Sequence, residues 1–217
     1  MDAPSVIFVD NHLLALFKPP GYVVQGAESE DVSLLAWAKT WLARRFEKKG
    51  NVFLAVVHRL DKPVSGVVLF GRTSKAASRL SEQIRRKEVE KVYLAIVEGD
   101  VPVNEGAMVH HLVRQGPAMA VGTPGEGAKE ARLGFRVVER RRGRTLVRVH
   151  LDTGRRHQIR VQFAERFGPL VGDRMYGSTT TLPGGAVALL SESLTVAHPT
   201  KCEPCTFSCE PPQWWPW

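Results

Sequence analysis

His58-Arg59-Leu60-Asp61-Lys62-Pro63-Val64-Ser65-Gly66 sits between two apolar runs, Val52-Phe53-Leu54-Ala55-Val56-Val57 and Val67-Val68-Leu69-Phe70. Both runs are short and rich in β-branched and aromatic residues, so each predicts a buried strand and the polar stretch becomes the connection between them. Pro63 removes a backbone donor and biases Lys62 away from helix, while Gly66 permits a positive-φ bend. The connection should therefore be stiff, and the single acid in it, Asp61, should be held in place. Arg59 and Lys62 flank that acid; cations so close would keep a carboxylate ionised, as a nucleophile requires. From spacing alone, an ordinary surface salt bridge on a turn accounts for the same residues.

Outward from this loop the chain alternates strands and helices without a regular βα repeat. Ser5-Val6-Ile7-Phe8-Val9 and Leu13-Leu14-Ala15-Leu16-Phe17 bracket the turn-prone Asp10-Asn11-His12 and predict a β-hairpin. Leu34, Leu35, Ala38, Trp41 and Leu42 recur at helical spacing and predict a helix over 31–46 with Ser33 as a cap, in which Trp37 and Trp41 pack. A second helix, capped by Thr73 or Ser74, runs to about residue 87 with Ala77, Leu80 and Ile84 inward. Residues 92–97 form a strand, and 101–127, rich in Gly and Pro, a weak ribbon or loop. Residues 129–138 and 145–151 pair around an Arg140–Arg144 connection. A helix over 157–167 follows, then short strands. This pattern predicts an α+β fold with a mixed, largely antiparallel sheet.

The chain has 217 residues, 43% of them hydrophobic, and a net charge of +8. That is enough apolar material for one substantial core or two joined subdomains. No run is as long as a membrane span, and Met1-Asp2-Ala3-Pro4 has no secretory signal, so the cytoplasm is the expected compartment and no membrane partner is expected. The positive charge favours a polyanion, with nucleic acid the natural candidate. Cations cluster at Arg44-Arg45 with Lys48-Lys49, at Arg85-Arg86-Lys87, at Arg140-Arg141-Arg142 with Arg144, and at Arg155-Arg156. Each cluster alone fits a solvated face or a helix end; together they fit an RNA-facing stripe. All three cysteines lie in the tail, where His198, Cys202, Cys205 and Cys209 offer ligand types that zinc accepts, although structural zinc sites usually draw on two separated knuckles. Free thiols are the alternative reading.

Four segments, in order, resemble the RluA-type RNA pseudouridine synthases. His58 to Gly66 resembles that family's HRLDxxTSG signature, and Lys18-Pro19-Pro20-Gly21-Tyr22-Val23-Val24 its KPxGxxV segment. Lys91-Val92-Tyr93-Leu94-Ala95-Ile96-Val97-Glu98-Gly99 resembles its KxYLAxVxG strand. Gly154-Arg155-Arg156-His157-Gln158-Ile159-Arg160, continuing through Gly172-Asp173-Arg174-Met175-Tyr176-Gly177, resembles its longest block. The chain departs from the pattern at Val64, usually Thr, at Gln162, usually His, and at Leu190, where His is usual.

The resemblance covers about 1–200 and implies that the 217 residues form a single catalytic domain with a short Cys/Pro/Trp-rich tail over 201–217. It implies a mixed central sheet in two subdomains with a substrate cleft between them, and no S4-type RNA-binding module. It implies that Asp61 attacks a target uridine, that Arg160 balances its charge, and that Tyr93 stacks on the flipped base. Arg59, Lys62, Arg155, Arg156 and His157 would contact RNA, His58 and His157 serving also as hydrogen-bonding scaffold. It implies no cofactor and no metal; a monomer acting on ribosomal or transfer RNA is expected. The alternative is a non-catalytic RNA-binding relative of the same fold. A metal-dependent nuclease would need several convergent acids, and the motifs supply only Asp61 and Asp173.

Overall fold

The computed structural model describes residues 3–26, 33–125 and 127–217. In chain order these form β1 (Ser5–Val9), β2 (Leu13–Lys18), α1 (Leu34–Arg45), β3 (Ala55–Val56), β4 (Ser65–Gly71), α2 (Ser74–Arg85), β5 (Glu90–Glu98), β6 (Glu105–Gln115), β7 (Ala118–Gly122), β8 (Lys129–Arg141), β9 (Arg144–Leu151), α3 (Gln158–Arg166), β10 (Leu189–Ala197) and β11 (Pro204–Ser208). The fold is α+β with mostly antiparallel strand pairing, as expected. The chain divides into two compact units, the first made of residues 1–89 and 193–210, the second of 90–192 and 211–217.

In the first unit the opening hairpin forms because Asp10 closes its turn: its Oδ1 accepts from the His12 and Leu13 amides, each at 2.7 Å. β2 then pairs antiparallel with β4 in a register that sets Lys18 opposite Gly66. Ser33 caps α1, its Oγ accepting from the Ala36 amide; the expected start at Asp31 and Val32 lies outside the described residues. Thr73 caps α2 in the same manner. As expected, Leu80 is buried and Ile84 packs against the core, but the buried alanine of α2 is Ala76 rather than Ala77. The core of this unit gathers Leu13, Ala15, Val67, Leu69, Leu80, Leu194, Val196 and Phe207. The run 52–57 was expected to be a full strand, yet only Ala55 and Val56 pair with β4. Val52 and Leu54 are buried without a ladder.

In the second unit β5 pairs with β9, β9 with β8, β8 with β6, and β6 with β7, all antiparallel. Of the ribbon and the loop expected over 101–127, the chain forms the ribbon, the β6–β7 hairpin. Gly116 and Pro117 make the turn that joins it, while Met108 and Leu112 point into the core. The β8–β9 turn is tighter than expected, with Arg142 and Gly143 both at positive φ, the geometry of a two-residue hairpin. α3 packs on the sheet through Ile159, Val161 and Phe163, and Phe163 and Phe167 meet Phe135 edge-on at 5.5 Å each.

Candidate active site

The Asp61 loop belongs to the first unit, and its backbone is tied at several points. The Val64 amide donates to the Asp61 carbonyl at 3.1 Å, closing a turn over Asp61-Lys62-Pro63-Val64. The Lys62 carbonyl accepts from the Gly21 amide at 2.9 Å. Where the loop enters β4, Gly66 has φ 122°, a conformation closed to residues with a Cβ. His58 accepts the Leu69 amide on Nε2 at 2.9 Å, a hydrogen bond that ties the start of the loop to β4.

The sequence reading missed the residue that joins these pieces. Lys18 has no exposed surface, and its Nζ donates to three backbone carbonyls: Pro19 at 3.0 Å, Tyr22 at 2.9 Å and Lys62 at 3.1 Å. Three acceptors match the three donors of an ammonium. One cation thus fastens the Pro19–Tyr22 segment to the Asp61 loop. Burial pulls the Lys18 pKa down to about 7, against the charge of Asp61, which raises it. Arg59 and Lys62, expected to supply the positive field around Asp61, are exposed, whereas Lys18 is buried and coupled to it.

Tyr93, Arg155, Arg156, His157 and Arg160 lie in the second unit. Tyr93 is on β5 opposite Val149 and is 8% exposed. Arg160 stands in the first turn of α3, buried, and makes a two-pronged ion pair with Asp173: Nε to Oδ2 at 2.7 Å and Nη2 to Oδ1 at 2.9 Å. The Tyr176 ring lies 5.2 Å from the guanidinium carbon. Tyr176 is itself fixed, its hydroxyl accepting the Met119 amide at 2.9 Å and meeting His157 Nδ1 at 2.9 Å. His157 is buried against Tyr176 rather than presented on the surface. Arg155 and Arg156 are exposed, with guanidinium groups resting on the Glu130 and Pro117 carbonyls, each at 2.9 Å.

Gln158 explains why α3 starts where it does. No side chain caps the helix, and His157 takes the left-handed φ of 53°. Gln158 substitutes for a cap: its Oε1 accepts from Thr153 Oγ1 at 2.8 Å and from the Arg155 amide at 3.0 Å, while its Nε2 donates to the Arg132 carbonyl at 3.0 Å. The departures from the family pattern fall on buried positions. Gln162 is fully buried, its Nε2 3.0 Å from His110 Nδ1, and Leu190 is fully buried too.

The zinc expectation for His198, Cys202, Cys205 and Cys209 is not met. Among the described residues no group of three or more His, Cys, Asp or Glu side chains is gathered to hold a metal. His198 uses both ring nitrogens elsewhere, Nε2 with Asp10 at 2.8 Å and Nδ1 with the Lys201 amide at 3.1 Å. Cys205 and Cys209 pack against the first unit's core, while Cys202 is exposed.

The family model described as RNA pseudouridylate synthase matches residues 12–165, which take in the Asp61 loop, Tyr93 and Arg160. The chain belongs to this family. A large ribosomal subunit pseudouridine synthase D of Xanthomonas campestris is 36% identical over 96% of this chain, and its Xylella fastidiosa counterpart 34% over 96%. The chain spans 66% of the length of each of these two relatives. An uncharacterised RNA pseudouridine synthase of Zymomonas mobilis is 32% identical, with 92% of this chain matching 90% of that protein. Among solved structures, human RNA pseudouridylate synthase domain containing 4 superimposes with a TM-score of 0.81 at 20% identity, covering 97% of this chain and 89% of the human one. At that identity the likeness bears on the fold alone.

Proposed function

We propose that this chain isomerises uridine to pseudouridine in RNA, with Asp61 as the nucleophile. The observation that carries the reading is the construction of the Asp61 loop: a family-matching acid whose backbone is fastened from two sides and through a buried ammonium. A carboxylate held in this way can attack the sugar or base of the target nucleotide. The bond between base and sugar then breaks at nitrogen, the base rotates, and its carbon bonds to the sugar as Asp61 is released; the carbon gives up its proton and the freed nitrogen takes one up, so no atom is gained or lost and no redox cofactor is called for. Arg160 is the cationic counterpart of Asp61 and Tyr93 the ring that stacks on the extruded base, a task suited to a flat face with a polar tip. Arg59, Lys62, Arg155 and Arg156 are exposed cations for phosphate contact.

The names of the Xanthomonas and Xylella relatives favour ribosomal RNA of the large subunit over transfer RNA as the substrate. Among the described residues no helix is long and apolar enough to cross a membrane. A monomer at work in the cytoplasm fits the reading. The test is a pseudouridine map of total RNA from cells with the wild-type chain and from cells whose chain carries Asp61→Ala. Loss of one or a few discrete sites is the expected result, and an unchanged map, with the purified wild-type protein inactive on unmodified, in vitro transcribed RNA, would overturn the reading.

A further inference from the structure

We propose that Asp173 and Tyr176 are positioning residues that hold the Arg160 guanidinium in one orientation for the reaction, with Tyr176 held in turn by His157 and the Met119 amide. This rests on the reading of Arg160 as a participant in the isomerisation. An arginine side chain has many rotamers to lose, and a catalytic cation gains from having that freedom removed before substrate arrives. Three contacts remove it here: the two-pronged bond to Asp173, the Tyr176 ring beneath the guanidinium, and Met175 Sδ at 3.9 Å from Nη2. The Asp173 pair engages Nε and Nη2 along one edge of the planar group, which fixes the direction in which the rest of it points.

The clamp is itself built to stay still. Asp173 is 1% exposed; its amide donates to the Leu170 carbonyl at 2.9 Å, and its own carbonyl accepts the Ser178 amide at 3.0 Å. Gly172, just before it, has φ 85°, and a Cβ there would come within 2.5 Å of the Ala186 carbonyl oxygen. His157 occupies the left-handed region at the start of α3, a conformation unfavourable for a residue with a side chain. That backbone turn aims its ring edge-on at Tyr176, with an interplanar angle of 89°. A buried ion pair is a poor source of stability, since apolar residues of equal size often do as well or better. A strained histidine, a buried pair and a fixed tyrosine converging on one guanidinium fit the control of orientation better than the control of stability.

The experiment measures single-turnover pseudouridine formation by full-length purified protein on total RNA from cells whose chain carries Asp61→Ala, so that the target is present unmodified. Asp173→Asn keeps the shape of the side chain and removes its charge. It should lower the maximal rate about 100-fold, the scale of a 1 Å misplacement, with half-saturating RNA within about threefold of wild type. On an Arg160→Lys background the same change should add less than about threefold, because the group it positions is already gone. Tyr176→Phe keeps the ring and cuts the hydroxyl links; it should cost about tenfold with the same lack of additivity, and it carries the test if Asp173→Asn does not fold. A wild-type rate in the folded variant, a loss confined to half-saturating RNA, or a loss that multiplies with that of Arg160→Lys would overturn the proposal. If Arg160→Lys is as fast as wild type, the role given to Arg160 is what has failed, and the clamp falls with it.

Discussion

Each unit buries one cation beside a residue of the candidate site, and the two are held in opposite ways. In the first, Lys18 spends its three donors on backbone carbonyls. In the second, Arg160 spends two of its donors on the side-chain carboxylate of Asp173. Lysine is a compact charge that can lose its proton on burial; arginine stays charged and reads geometry through its planar fork. The comparison assigns pH sensitivity to the Lys18 side and orientation to the Arg160 side. Fastening a loop to backbone needs a cation with donors in several directions, whereas aiming one flat group needs a partner equally flat.

The largest expected effect comes from unpairing the second unit. Arg160→Ala leaves Asp173 buried without the partner its two oxygens face and should lower stability by about 3–5 kcal/mol, read by urea denaturation. A loss under 1 kcal/mol would mean that water reaches Asp173 and that the pair is not dry. Lys18→Met should lower stability by about 2–3 kcal/mol, because three carbonyls lose a charged donor. An unchanged midpoint would show that the loop is fastened by its other bonds alone.

The pH dependence separates the two cations directly. The folded-state pKa of Lys18, about 7, lies below its ordinary value of 10.5, so between those limits the unfolded chain binds more protons than the folded one. The penalty of burying the charged lysine is therefore fully present below about pH 7 and is relieved as pH rises. Wild type should gain on Lys18→Met between pH 7 and 9 by up to about 1.4 kcal/mol per unit. Arg160 contributes no such slope of its own, since a guanidinium stays charged across that range. A flat difference for Lys18 would dissolve the contrast. The smallest effect belongs to Ser65, whose buried hydroxyl has no hydrogen-bond partner. Ser65→Ala should change stability by less than about 1 kcal/mol, toward gain, and a larger loss would show that the hydroxyl is used.

What was legible in the sequence follows the same division. Local periodicity and turn chemistry announced the β1–β2 hairpin, both capped helices and the β8–β9 pair, because those elements are decided by neighbours in the chain. The β6–β7 hairpin was legible only as a ribbon or a loop, because Gly and Pro recur through 101–127, at its turn and outside it, and blur the strand pattern. The run 52–57 looked like a strand because burial and pairing leave the same apolar trace, yet only two of its residues find a ladder. Asp61, Tyr93 and Arg160 were found through ordered motifs. Lys18 was quoted in one of those motifs without a role, and Asp173 was noted only as a spare acid. Their roles depend on which carbonyls and which guanidinium lie nearby in space, and spacing along the chain carries no trace of that. In the tail, closeness along the chain says little about geometry: His198 and three cysteines share a short stretch, but Asp10 and the Lys201 amide occupy the histidine.

The most direct test of the central claim uses purified protein and total RNA from cells whose chain carries Asp61→Ala, with pseudouridine counted at each site after incubation and RNA affinity measured alongside. Wild-type protein should form pseudouridine at one or a few discrete sites, and Asp61→Ala should form none there while binding RNA within about threefold of wild type, because affinity rests on phosphate contacts made by other residues. Pseudouridine formed by Asp61→Ala at the wild-type rate would contradict the account.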